Sequence, residues 1–226
     1  MKIGILLSGC GVYDGAEIQE AVLAMLAIEE MDGTVVPISI HKKQHHVINH
    51  LTGEEMPEER NMMVEAARIA RGNVKGIGDV QPAELDGLVI PGGFGSAKNF
   101  TKWAFSGPEG EILPEVKLLI VNMVNVGKPI VALCVSPVVV SKALQGSIFK
   151  PKMTIGSTEK ASPYDISGFN QGLESIGVET EMKTISEIQI DYETKIITAP
   201  CYMMDASLLE VRQNIQQAIF ALKELM

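Results

Sequence analysis

A chain of 226 residues with 46% apolar and 21% charged residues holds enough apolar side chains for one sizeable core. Its net charge of −9 comes with no dense Lys/Arg block, which excludes the basic stripe a nucleic-acid partner needs. No apolar run reaches the ~18–20 residues of a membrane span, the stretch before Ser8 is too short for a signal peptide, and three cysteines do not suit a disulfide framework. The expectation is a cytoplasmic protein with one domain over residues 1–226 and no membrane partner.

Strand-like and helix-like segments alternate, as in a parallel sheet covered by helices. Lys2–Leu7 reads as the first strand. A helix over Glu17–Met31 follows, with Ile18, Ala21, Val22, Met25 and Leu26 at the spacing of one buried face. Thr34–Ile40 is a strand, Met62–Ala70 a short helix, and Leu85–Pro91 a strand closing on Gly92-Gly93. A helix at Pro114–Val126 stops at Gly127, Pro129–Leu133 is an apolar strand, and a helix begins near Pro137. The last third gives a strand at Met153–Ile155, a helix at Asp165–Ile176, paired strands at Glu187–Asp191 and Lys195–Thr198, and an amphipathic helix over Ala206–Leu225. His41–Arg60 and Phe94–Pro114 are long enough to be functional loops.

The strongest chemical signal lies in Pro129–Pro137, where a buried strand runs directly into a helix start with Cys134 at the junction. Ala132 and Ser136, two residues either side, are small, as a tight nucleophile elbow requires. Helix N-terminal amides favour thiolate over thiol, so the Cys134 pKa is expected to fall. The plain alternative is a buried core cysteine. Pro91-Gly92-Gly93 ends the preceding strand, and the Gly93 and Val135 amides are candidate oxyanion donors beside that thiol.

Ser8–Glu20 follows the first strand and opens a helix, the context of a dinucleotide loop, but Asp14 stands where a third small residue belongs and would repel a pyrophosphate. Glu17 and Glu20 share the first helical turn, and one of them can serve Cys134 as a base. All four histidines fall within His41–His50, beside Lys42-Lys43 and with no further ligand, so the segment reads as a solvated loop rather than a metal site. Cys10 and Cys201 also follow strands, leaving a resolving disulfide or a three-cysteine zinc site as lesser options.

Ser8–Gly15, Ile48–Gly53, Arg60-Asn61, Glu65–Ile69 and Pro91–Asn99 together resemble the ElbB-type glyoxalase branch of the ThiJ/PfpI (class I glutamine amidotransferase-like) superfamily, from residue 2 to about Met203. That resemblance implies a flavodoxin-like three-layer α/β sandwich, a homodimer, and cofactor-independent, glutathione-independent conversion of methylglyoxal or glyoxal to 2-hydroxy acids. It places the nucleophile at Cys134, the essential glutamate at Glu20, and the oxyanion amides at Gly93 and Val135. The family pattern also has a histidine beside the cysteine; here the matching stretch is Thr154-Ile155-Gly156-Ser157, without one. The alternative function is a non-enzymatic redox or stress sensor built on the same thiol.

Overall fold

The computed structural model describes residues 1–226. In chain order the elements are β1 Lys2–Leu6, α1 Ile18–Glu30, β2 Thr34–Ser39, α2 Met62–Ile69, β3 Lys75–Gly76, β4 Gly87–Ile90, α3 Trp103–Ser106 and α4 Pro114–Asn125. There follow β5 Ile130–Leu133, α5 Pro137–Leu144, β6 Lys152–Met153, α6 Ile166–Ser175, β7 Glu179–Thr180, β8 Gln189–Asp191, β9 Ile196–Ala199 and α7 Leu208–Glu224. Seven strands form one sheet in the order β3-β2-β1-β4-β5-β9-β8, and β6 pairs with β7 apart from it. Only the β8–β9 pair of the large sheet is antiparallel. The result is the flavodoxin-like α/β arrangement, a mostly parallel sheet with flanking helices.

The central strands explain why. Residues 3–6, 87–90, 130–133 and 196–199 are all fully or almost fully buried, as a sheet covered on both faces demands. Helices α1 and α7 pack against each other, and α4 packs against α5. The chain steps outward from β1 to β2 and β3, then returns to the other side of β1 with β4, β5 and β9. This reversal opens a crevice at the carboxyl ends of β1 and β4, the place where such sheets hold ligands.

One helix face differs from the sequence expectation. Helix α1 buries Glu20, Ala21, Ala24, Ala27 and Ile28, while Ile18, Val22 and Leu26 are 45%, 48% and 43% exposed. The helix is apolar around most of its circumference, so periodicity alone offers two stripes. The alanine stripe wins because small side chains let α1 approach its neighbours closely. The Met153–Ile155 strand is also displaced: it is β6, outside the main sheet.

Candidate functional site

Three strand ends build the site. Strand β5 ends at Leu133, and Cys134 turns the chain with φ +56°, a left-handed conformation that costs a non-glycine residue about 1–3 kcal/mol. Its amide donates to Ala199 O at 2.9 Å. The turn is pinned from the far side by Ser136, whose Oγ lies 2.6 Å from Pro91 O and 3.0 Å from Ser96 Oγ. The small residue expected at position 136 is thus also a hydrogen-bonding anchor to the end of β4.

Gly92 sits between the thiol and Glu20. A Cβ built there would lie 2.4 Å from Cys134 Cβ and 2.6 Å from Glu20 Oε2, so no other residue fits without displacing one of them. The Gly92 N–H donates to Glu20 Oε2 at 2.8 Å, and the Tyr202 N–H to Oε1 at 3.4 Å. Glu17 caps α1, its Oε2 accepting from the Glu20 N–H at 2.6 Å, while its own N–H donates to Gly92 O at 2.9 Å. Phe94 N donates to Val12 O at 2.7 Å and Gly95 N to Gly15 O at 2.9 Å, stitching the β1 and β4 loops together. Asn99 completes the clamp by donating to Ser8 O and Asp14 O at 2.9 and 2.8 Å.

The structure brings Cys134, Glu20, Gly93 and Val135 together. Glu20 is completely buried; desolvation first, then the neighbouring Glu17 charge, push its carboxyl up to about 8 against the opposing pull of the Gly92 amide and the thiol. The expected lowering of the Cys134 pKa is not what this geometry gives. Burial, then the charge of Glu20 and the S–H bond donated to it, raise the thiol, and the Gly93 and Val135 amides offset this only in part. Desolvation of a buried sulfur outweighs the dipole of the eight-residue α5. Below about pH 8 both groups therefore hold their protons, and above it Glu20 ionises first while the thiol stays protonated.

Over the thiol lies a narrow cavity with room for about one water-sized body, about 20 Å³, and a total free space of about 320 Å³ when the open solvent at its mouth is counted. Sequence reasoning missed several of its walls. Glu17 lines it, as do Tyr164 and Phe169 from around the start of α6 and Tyr202 after β9. Nothing local in the sequence marks these aromatics, which the fold gathers from distant segments. Burial and the nearby Cys134 push the Tyr164 phenol up to about 12, so it keeps its proton throughout the neutral range. Thr154 and Ser157 are buried elsewhere, the Thr154 amide on Thr198 Oγ1 at 2.8 Å and the Ser157 amide on Met204 Sδ at 3.4 Å.

Other candidates resolve differently. Cys201 is completely buried and feels the charges of Glu20 and Cys134, whereas Cys10 is half-buried near Glu65 and Arg68; all three thiols are free. No three His, Cys, Asp or Glu side chains stand together as a metal site. The histidine segment is not a solvated loop throughout. Gln44 and Val47 are buried, His45 packs 4.3 Å from the Phe105 ring, and Ile48 N donates to Asp14 Oδ2 at 2.7 Å. Asp14, a buried acceptor for that amide, holds the segment onto the β1 loop.

No family model matches the chain. Among curated proteins it is 31% identical over 226 residues to the human mitochondrial glutamine amidotransferase-like class 1 domain-containing protein 3, covering 99% of this chain and 83% of that protein. The rat mitochondrial ES1 protein homolog is 30% identical over 226 residues, with 99% and 84% covered. These relatives overturn the cytoplasmic expectation: both are mitochondrial proteins, and a first segment that serves as strand β1 carries no information about compartment. The crystal structure of an isoprenoid biosynthesis protein with an amidotransferase-like domain from Ehrlichia chaffeensis superposes with a TM-score of 0.90 at 36% identity, covering 100% of this chain and 99% of that one. Glyoxalase III from Candida albicans, at 14% identity and a TM-score of 0.59 over 98% and 97% of the two chains, shares the fold. On the match along 99% of its length to the human relative, this chain belongs to the glutamine amidotransferase-like class 1 family.

Proposed function

We propose that the protein is an ElbB-type, cofactor-independent glyoxalase that converts a 2-oxoaldehyde to the 2-hydroxy acid. The observation that carries the reading is the buried Glu20 carboxyl, held by the Gly92 amide against the Cys134 thiol at the floor of a cavity. In the singly ionised pair Glu20 is the carboxylate and the thiol keeps its proton, which Glu20 takes as the Cys134 sulfur adds to the aldehyde carbon and then passes to the new oxyanion. A C–S bond forms, the carbonyl π pair moves to oxygen, and a proton completes the hemithioacetal. The Gly93 and Val135 amides make no backbone hydrogen bond, face the sulfur, and are the donors for that developing oxyanion. Glu20 then takes the C1 proton and returns one to C2 through an enediol, giving a 2-hydroxyacyl thioester. Water cleaves the thioester, releasing the acid and restoring the thiol, so the net change is addition of one water with no external oxidant.

The reading includes a homodimer, supported by the exposed Ile18, Val22 and Leu26 stripe on α1. Product analysis after incubation with methylglyoxal tests the activity: lactate that forms with the parent protein and not with Cys134→Ser supports it, and lactate independent of Cys134 refutes it. A second reading, oxidation of Cys134 as a redox signal, draws on the narrowness of the cavity, whose room for about one water-sized body suits a small oxidant such as peroxide.

A further inference from the structure

Aromatic residues are scarce in this chain: one Trp, four Tyr and six Phe, or 5% of residues. Four of them, Phe94, Tyr164, Phe169 and Tyr202, line the single cavity above Cys134. Each is half-buried and open to the cavity, and Tyr164, Phe169 and Tyr202 pack on the core along their other side. Phe94 and Tyr164 meet edge to face with centroids 5.9 Å apart, a contact that fixes the orientation of the Tyr164 ring at the cavity wall.

The charges around the cavity point the same way. No Lys, Arg or His lines it, and its one acidic wall is Glu17. Lys98, whose Nζ lies 5.4 Å from the Phe94 centroid, is not a lining residue and donates to Tyr13 O at 2.8 Å. A substrate bearing a carboxylate or phosphate would meet Glu17 with no counter-charge. With room for about one water-sized body, the cavity takes only a carbonyl group beside the sulfur, and a larger body must lie toward the mouth, among the rings.

We propose that the site selects an uncharged 2-oxoaldehyde with an aromatic tail, an arylglyoxal, over anionic or short-chain ones. This rests on the reading of Cys134 as the aldehyde nucleophile and names the substrate class of that site. The aryl ring lies against Tyr164 and Phe169 at the mouth, and the aldehyde carbon reaches Cys134. Addition, proton transfer from C1 to C2 and hydrolysis then convert ArCOCHO plus water to ArCH(OH)COOH, with atoms and electrons balanced.

Two measurements on the full chain test it. The first compares kcat/KM for phenylglyoxal and methylglyoxal, with an expected preference of about tenfold or more for phenylglyoxal, the effect of one well-formed aromatic contact. The second needs no turnover. It compares alkylation of Cys134 by neutral, aromatic phenacyl bromide and by anionic iodoacetate, each normalised to its rate with glutathione. The expected preference for phenacyl bromide is again about tenfold and falls severalfold in Tyr164→Ala and, separately, in Phe169→Leu, provided each still melts cooperatively. Turnover of methylglyoxal without either preference overturns this proposal and leaves the glyoxalase reading intact. The alkylation preference without turnover of any aldehyde overturns the glyoxalase reading and leaves the aromatic site in place.

Discussion

Glu20→Gln should stabilise the protein while disabling its site. The Glu20 carboxyl is raised from an ordinary 4.5 to about 8 by complete burial and by Glu17. A raised carboxyl binds its proton more tightly folded than unfolded. Its contribution to stability is therefore fully present below about pH 4.5, and it is lost as the pH climbs through about 8. Each pH unit inside that window costs roughly 1.4 kcal/mol, so between about pH 5 and about pH 7.5 the parent protein loses about 3 kcal/mol that an amide, neutral in both states, does not lose. Glutamine retains an oxygen for the Gly92 N–H and turns its NH₂ toward the Cys134 sulfur, giving up only the long Tyr202 contact and the weak bond from the Cys134 S–H. Urea denaturation of both proteins at the two pH values measures the difference directly. The stability gap should widen in favour of the variant by about 3 kcal/mol at the higher pH. Parallel stabilities at both pH values would refute the assignment of Glu20 as a protonated buried acid.

Alkylation of Cys134 by iodoacetamide should stay slow until the pH passes the ordinary thiol range, and Glu20→Gln, which removes the charge that helps to raise the thiol, should move the rise to lower pH; a flat profile from pH 6 upward would show a thiolate already formed. Gly92→Ala should all but abolish that labelling without unfolding the chain, since the new Cβ would lie 2.4 Å from Cys134 Cβ; near-normal labelling, with a retained circular dichroism spectrum, would contradict the packing described. Glu17→Gln keeps an acceptor for the Glu20 N–H and should cost far less activity than Glu20→Gln, whereas Glu17→Ala removes the cap and about 1 kcal/mol of stability. Val22→Glu, in the exposed stripe of α1, should convert the proposed dimer to monomer by light scattering, and a monomeric parent protein would dispose of that interface.

Much of this architecture was legible because the signals were local. The run Pro129–Leu133 into Pro137 needed only an apolar strand followed by a helix start to place Cys134 at an elbow, and β5 and α5 lie within a residue of those bounds. Glu20 was different: helix periodicity did not separate it from Glu17, and the motif resemblance selected it. The cavity walls were not legible at all. Tyr164, Phe169 and Tyr202 come from segments 30 or more residues beyond Cys134, joined to it only by the β5–β9 pairing and the packing of α6. The sign of the thiol shift was misjudged for a related reason. A helix start can be read from sequence, but the complete burial that overrides its dipole depends on Gly92, Glu20 and the rest of the fold closing over the sulfur.

The site accumulates features that oppose stability and that the sheet and helices around it do not need. Cys134 holds φ +56° where glycine would be easier, Glu20 brings an ionisable group to zero exposure, and Gly92 leaves no room for a side chain. An alanine at position 20 would continue the Ala21, Ala24 and Ala27 face of α1 without any desolvation cost. Each costly choice instead meets the others at one point, the sulfur of Cys134, and each is restrained by a partner from another strand end: Ser136 on Pro91, Gly92 on Glu20, and Glu17 on Gly92. Three independent destabilising features converging on one atom is what a reactive centre requires and what a core cysteine does not. That convergence, more than the exposure of the thiol, separates Cys134 from Cys201, which is equally buried and also left-handed in φ yet lines no part of the cavity.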